Sequence, residues 1–169
     1  MQVNWEKEKL ELEEKITKTE EKIEKLEKDK IRNNLIVTGM RMETENEELL
    51  RNTMEKMINK KLSLNVKVKK AYKIGQDRYN VEMNNWNEKL KVLKTKGKLR
   101  GKEIYIDSAL TLTEREIQKN VRDFAKKEII NAATVRVKYQ GVEIDGRSWK
   151  WNKMEQKLMK VGEIKVPKN

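Results

Sequence analysis

The side chains best suited to chemistry in this chain are cations. Lys94, Lys96, Lys98, Arg100 and Lys102 fall at alternate positions through a stretch punctuated by Gly97 and Gly101. Arg115, Lys119, Arg122 and Lys126 recur at intervals of four, three and four. At about 100° per residue the second set lies within ~60° on a helix, nearly opposite Ile117, Val121, Phe124 and Ala125. Rows of cations with no acid among them suit phosphate groups, so both sets are candidate nucleic-acid contacts. The spelling Gly97-Lys98-Leu99-Arg100-Gly101-Lys102 approaches a nucleotide-binding loop. It is one residue short of that motif, has Glu103 where Ser or Thr should follow, and precedes a strand instead of a helix.

Bond-making groups are scarce. With no Cys there is no thiolate nucleophile, disulfide or thiolate-held metal. With no His there is no imidazole base and no imidazole-ligated metal. Asp107 and Asp145 sit at a strand end and in a hairpin turn, without evident acidic partners for a metal. The expectation is a protein with no catalytic residues, no metal and no cofactor.

Composition agrees with a polyanion-binding role. The 169 residues carry 40 Lys and Arg against 28 Asp and Glu, a formal charge of +12, and hydrophobic residues make up 36%. Residues 1–30 hold 8 Lys and 10 acids, a net −2, and the remainder carries +14. A lysine-rich soluble surface with no polyanion partner is the plainer alternative. No apolar run reaches membrane-spanning length, and no signal-peptide pattern opens the chain. A soluble, intracellular protein without membrane contact is expected.

The elements that must position these cations follow from periodicity. Residues 5–30 lack Gly and Pro and consist largely of Glu, Lys and Leu, so one helix is predicted. A heptad with Trp5, Leu12, Thr19 and Leu26 at d and Lys9, Ile16, Ile23 and Lys30 at a gives the seam Trp5, Leu12, Ile16, Ile23, Leu26. Glu6, Glu13, Glu20 and Glu27 flank it at e. Parallel pairing sets Lys15 against Glu20 and Lys22 against Glu27 of a second copy, whereas antiparallel pairing opposes Glu to Glu. A parallel coiled coil is predicted, a dimer or a trimer. A single helix docked on its own body is the alternative.

Leu35–Thr38 reads as a strand, Leu49 to Leu62 as a helix, Val66–Ile74 and Tyr79–Met83 as strands, Trp86 to Leu93 as a helix and Ile104–Ile106 as a last strand. This β-α-β-β-α-β order is the ferredoxin-like plan of RNA recognition domains. A further helix is predicted from Thr113, with Glu116 completing a capping box. After it come strands Val135–Tyr139, Val142–Ile144 and Arg147–Trp151, turning at Gln140-Gly141 and Asp145-Gly146. Trp149 and Trp151 share a face, as core against that helix or as a stacking platform for bases.

The run Arg32-Asn33-Asn34-Leu35-Ile36-Val37-Thr38-Gly39-Met40 behind a coiled coil, and Leu99 through Thr111 (Leu-Arg-Gly-Lys-Glu-Ile-Tyr-Ile-Asp-Ser-Ala-Leu-Thr), resemble the first-open-reading-frame RNA-binding protein of LINE-type non-LTR retrotransposons. The similarity is to the divergent form beside endonuclease–reverse transcriptase genes, and it runs in order along nearly the whole chain. It implies a trimeric coil, single-stranded RNA binding and nucleic-acid chaperone activity. Nothing in the chain resembles endonuclease or reverse transcriptase motifs. RNA recognition domains carry a stacking aromatic on the first strand, where this chain has Ile36, and on the third strand it offers only Tyr79.

The expected architecture is therefore α+β: a coiled coil over 1–32, an RRM-like domain over 33–108, a C-terminal helix plus β-hairpin domain over 109–155, and a tail over 156–169. The expected function is an oligomeric single-stranded RNA- or DNA-binding component of a cytoplasmic ribonucleoprotein, with the nucleus as a second location. The alternatives are a coiled-coil adaptor whose basic body binds a protein, or a non-catalytic N-terminal segment of a longer product. The close at Val166-Pro167-Lys168-Asn169 leaves that length open.

Overall fold

The computed structural model describes residues 2–132 and 134–162, and the side chains from Asn4 on. Its contacts divide the chain into a first unit ending at Ala109 and a second beginning at Leu110. Both are mixed α+β, each built on an antiparallel four-stranded sheet.

Helix α1 spans Gln2–Lys30. Lys28 and Lys30 lie in its last turn, where the helix dipole favours cations. The hydroxyls of Thr17 and Thr19 fold back onto the carbonyls of Glu13 and Lys15, so the polar seam position is satisfied within the helix. Trp5, Leu12, Ile16, Ile23 and Leu26 are each at least half exposed, and nothing in the described chain covers the seam.

A short turn, with Asn34 N–H donating to Ile31 O, leads into β1 (Asn34–Thr38). Then follow α2 (Glu47–Leu62), β2 (Val68–Lys73), β3 (Arg78–Met83), α3 (Trp86–Thr95), a single 3-10 turn over Lys96–Leu99, and β4 (Tyr105–Ser108). The strands lie in the order β2-β3-β1-β4. Asn46 and Asn85 cap α2 and α3 by accepting from Leu49 N–H and Glu88 N–H. Apolar alternation on the strands meets the 3.6-residue stripe of α2, so Leu35, Val37, Val81, Met83 and Ile106 bury against Leu50, Met54, Met57, Ile58 and Leu62, with Val92 from α3.

Two local details shape this unit. The strand expected from Val66 begins at Val68, because the Asn59 side chain takes over the pairing of Val66: Oδ1 accepts from its N–H at 2.8 Å and Nδ2 donates to its carbonyl at 2.9 Å. At the other end, the link from α1 is fastened to α3. Lys89 is buried, its ammonium donates to Arg32 O at 2.8 Å, and Arg32 and Lys89 both stand over the Trp86 ring, 5.1 and 5.3 Å from its centre.

The second unit is α4 (Leu112–Glu128) with a meander of β5 (Val135–Lys138), β6 (Gly141–Ile144), β7 (Arg147–Asn152) and β8 (Lys157–Lys160). Ile117, Val121 and Ala125 of α4 bury with Val142, and Phe124, Ile144, Trp149, Trp151 and Leu158 close around them.

Two expectations change here. The capping box is Thr111 with Glu114, two residues before Thr113 and Glu116. Glu114 is held there because it is buried and also receives the Tyr139 hydroxyl. The stretch from residue 156, expected as tail, contains β8, whose Leu158 opposes Trp151 and completes the small core. Residues 163–169 lie outside the described residues.

Candidate nucleic-acid interface

The four α4 cations keep the arrangement read from spacing. Arg115, Lys119, Arg122 and Lys126 are all exposed, on the side of the helix away from Ile117 and Val121. None of them forms an ion pair among the described residues. At 1.5 Å per residue the row runs about 16 Å.

The five cations before β4 do not act as one row. Alternation implies a shared face only in an extended chain, and here the backbone winds through the end of α3 and the 3-10 turn. Lys94 lies in the last turn of α3. The Lys96 ammonium bonds Asp107 at 2.9 Å, across the sheet edge. Lys98 turns the other way and donates to Leu62 O at the end of α2, serving as a C-terminal cap. Arg100 and Lys102 stay exposed and without an ion pair among the described residues.

Tyr79 is no binding residue. It is fully buried, and its hydroxyl accepts from Met42 N–H at 2.9 Å. Its register opposite Val37 places it on the helix-facing side of the sheet with Val81 and Met83. On the opposite side the third strand presents Asn80 and Glu82, and the aromatic positions are taken by edge strands: Tyr72 on β2 and Tyr105 on β4. Both rings are exposed, Tyr105 by 63%. Sequence reasoning passed over this pair, although the alternation Ile104-Tyr105-Ile106 already sets Tyr105 against the apolar face.

Trp149 and Trp151 line the second core, with Trp149 5.4 Å from the Phe124 ring. That favours packing over a stacking platform. The two aspartates considered for metal chemistry have other work. Asp107 holds Lys96, and the Asp145 carboxylate accepts from Thr134 N–H at 2.8 Å in a turn whose Asp145 and Gly146 have φ of 48° and 81°. Among the described residues no group of three acids is placed to hold a metal ion, and no helix is long and apolar enough to cross a membrane.

Charge pairing is sparse in the second sheet. Lys138 bonds Glu143 at 2.7 Å and is the main cause holding that carboxyl below its ordinary range, first by hydrogen bond and then by charge. Arg136 adds a smaller push in the same direction.

No protein-family model matches the chain, and no curated protein matches it.

Proposed function

We propose that this protein binds single-stranded nucleic acid through phosphate contacts and does so as an oligomer joined by α1. The observation that carries the reading is the α4 row: four exposed cations in one line with no acid paired to them. An ordinary solvated helix interleaves its signs, as α1 does. The β-α-β-β-α-β order with strands β2-β3-β1-β4 supports an RRM-like first unit, and the resemblance to LINE-type first-frame proteins supports a ribonucleoprotein role with chaperone activity. In this reading binding tolerates any sequence, the protein is cytoplasmic with nuclear passage, and no catalytic step belongs to it.

The uncovered seam from Trp5 to Leu26 supports a second or third copy as the partner of α1. Lys15 and Lys22 complement Glu20 and Glu27 only in parallel register.

The test is a salt titration of binding to unrelated single strands. Replacing Arg115, Lys119, Arg122 and Lys126 by Ala should weaken every strand alike and flatten the log–log salt slope by about 3, at ~0.7 per lost phosphate contact. Absence of any single-strand affinity in the unmodified protein, with a protein partner captured instead, would establish the adaptor reading. Light scattering on a form lacking residues 1–30 should report a monomer.

A further inference from the structure

A cavity of about 590 Å³ opens along the free edge of β4, a size within the ~300–1,000 Å³ range of small-ligand clefts. Its walls are the 3-10 turn on one side and the outer edge of the sheet on the other, with Lys96, Arg100, Lys102, Tyr105 and Asp107 among its residues. The chain reverses at Gly101, whose φ is +82°. Nothing lies within 4 Å of where a Cβ would stand there, so this wall is low and the cavity is open to a strand passing over it.

The charges alone make this a weak phosphate trap. Three cations face two carboxylates, Glu103 and Asp107, and Lys96 is already committed to Asp107. What sets the cavity apart is the ring of Tyr105, 63% exposed, two residues from Asp107 on the same face of an edge strand. An aromatic face beside a pair of uncommitted cations matches a nucleotide: a base to stack, with a phosphate on either side. Stacking adds ~1–3 kcal/mol per base and accepts any base, which charge contacts do not replace.

We propose that this groove is a single-nucleotide subsite, in which a base of a single strand stacks on Tyr105 while Arg100 and Lys102 hold the flanking phosphates. The proposal rests on the single-strand-binding reading above and adds to it a stacking contact on an edge strand. The Asp107 carboxylate holds Lys96 and at the same time repels the strand. Its removal to Asn therefore strengthens binding.

The experiment measures binding of the full chain to a ten-nucleotide single strand, as RNA and as DNA, and to the same backbone without bases. Tyr105→Ala should weaken binding to both base-bearing strands by about 5- to 150-fold, the equivalent of one stacked base, and leave the abasic strand unaffected. Tyr105→Phe should bind like the unmodified protein. Arg100→Gln with Lys102→Gln should flatten the salt slope by about 1.4 on all three strands. Tyr105 is exposed, so melting curves should coincide for all variants. Equal binding by Tyr105→Ala and the unmodified protein, with the α4 cations still governing the salt slope, overturns the subsite alone. Failure of the unmodified protein to bind any strand overturns it together with the broader reading.

Discussion

The two units solve the same problem with unequal means. In the first, sixteen buried apolar side chains from four strands, two helices and adjoining loops form one cluster, and its large members are almost wholly shielded from water. In the second, four are buried, and Phe124, Trp149 and Trp151 close the core while remaining partly in solvent. At ~25 cal/mol per Å² of apolar surface, a few aromatic rings supply much of what holds the second unit together. The first unit spreads the same task over many aliphatic groups. A chain with only 36% hydrophobic residues can therefore carry one deep core and one shallow one, with the shallow one resting on tryptophan.

The sharpest way to break that contrast is Trp149→Ala. Loss of a large aromatic from a core costs ~3–5 kcal/mol, enough to unfold a small unit. Calorimetry should show the second unit's transition lost and the first unit's retained. A single transition that merely shifts would mean the units melt together and the contrast has no thermodynamic meaning. Met54→Ala is the counterpart in the deep core, costing about 3 kcal/mol by the same cavity argument. It should lower the first unit's midpoint without abolishing its transition, read by denaturant titration.

A smaller effect probes how α4 is anchored. Thr111→Ala removes the side chain that accepts from Glu114 N–H and should cost about 1 kcal/mol, whereas Thr113→Ala should cost only a few tenths. Equal losses at the two threonines would put the cap back where spacing alone sets it. Smallest is the Lys138–Glu143 pair. Because the folded carboxyl titrates below its ordinary range, the pair contributes above that range and loses its contribution as pH falls through the lowered value. In Lys138→Gln, NMR titration should find the Glu143 carboxyl moved upward, and unfolding should become less sensitive to acid.

Much of this was readable in the residues, and the failures have specific causes. Periodicity found α1 and α2 and the sheet-forming runs from β1 to β7, since each carries a repeated apolar pattern bounded by Gly, Asn or a charge cluster. It missed β8 because its turn, Lys153–Gln156, contains no glycine. Gln156 takes the left-handed conformation at φ 53° without the residue type that advertises it. Two overlapping Thr-x-x-Glu patterns begin at Thr111 and Thr113, and only the burial of Glu114 and its bond from the Tyr139 hydroxyl choose between them. Tyr79 shows a different failure. Alternation already grouped it with Val81 and Met83, and its assignment to base stacking came from the comparison with RNA recognition domains. At the site, the α4 row was legible because helical spacing fixes a face. The loop cations were not, because their alternate spacing has meaning only in a strand.

The buried ammonium of Lys89 carries a last consequence. Swinging the end of α1 away from α3 would break its bond to Arg32 O, a charge-assisted hydrogen bond worth roughly 1.5–3 kcal/mol. Helix α1 is thus less a tether than a mast stepped into the hull. In the oligomer we propose, copies joined through such masts would hold their first units at set spacings instead of letting them wander. Under that proposal avidity would act as a ruler: a strand long enough to bridge two neighbouring bodies would gain the second contact at high effective concentration, and a shorter one would gain nothing from the assembly.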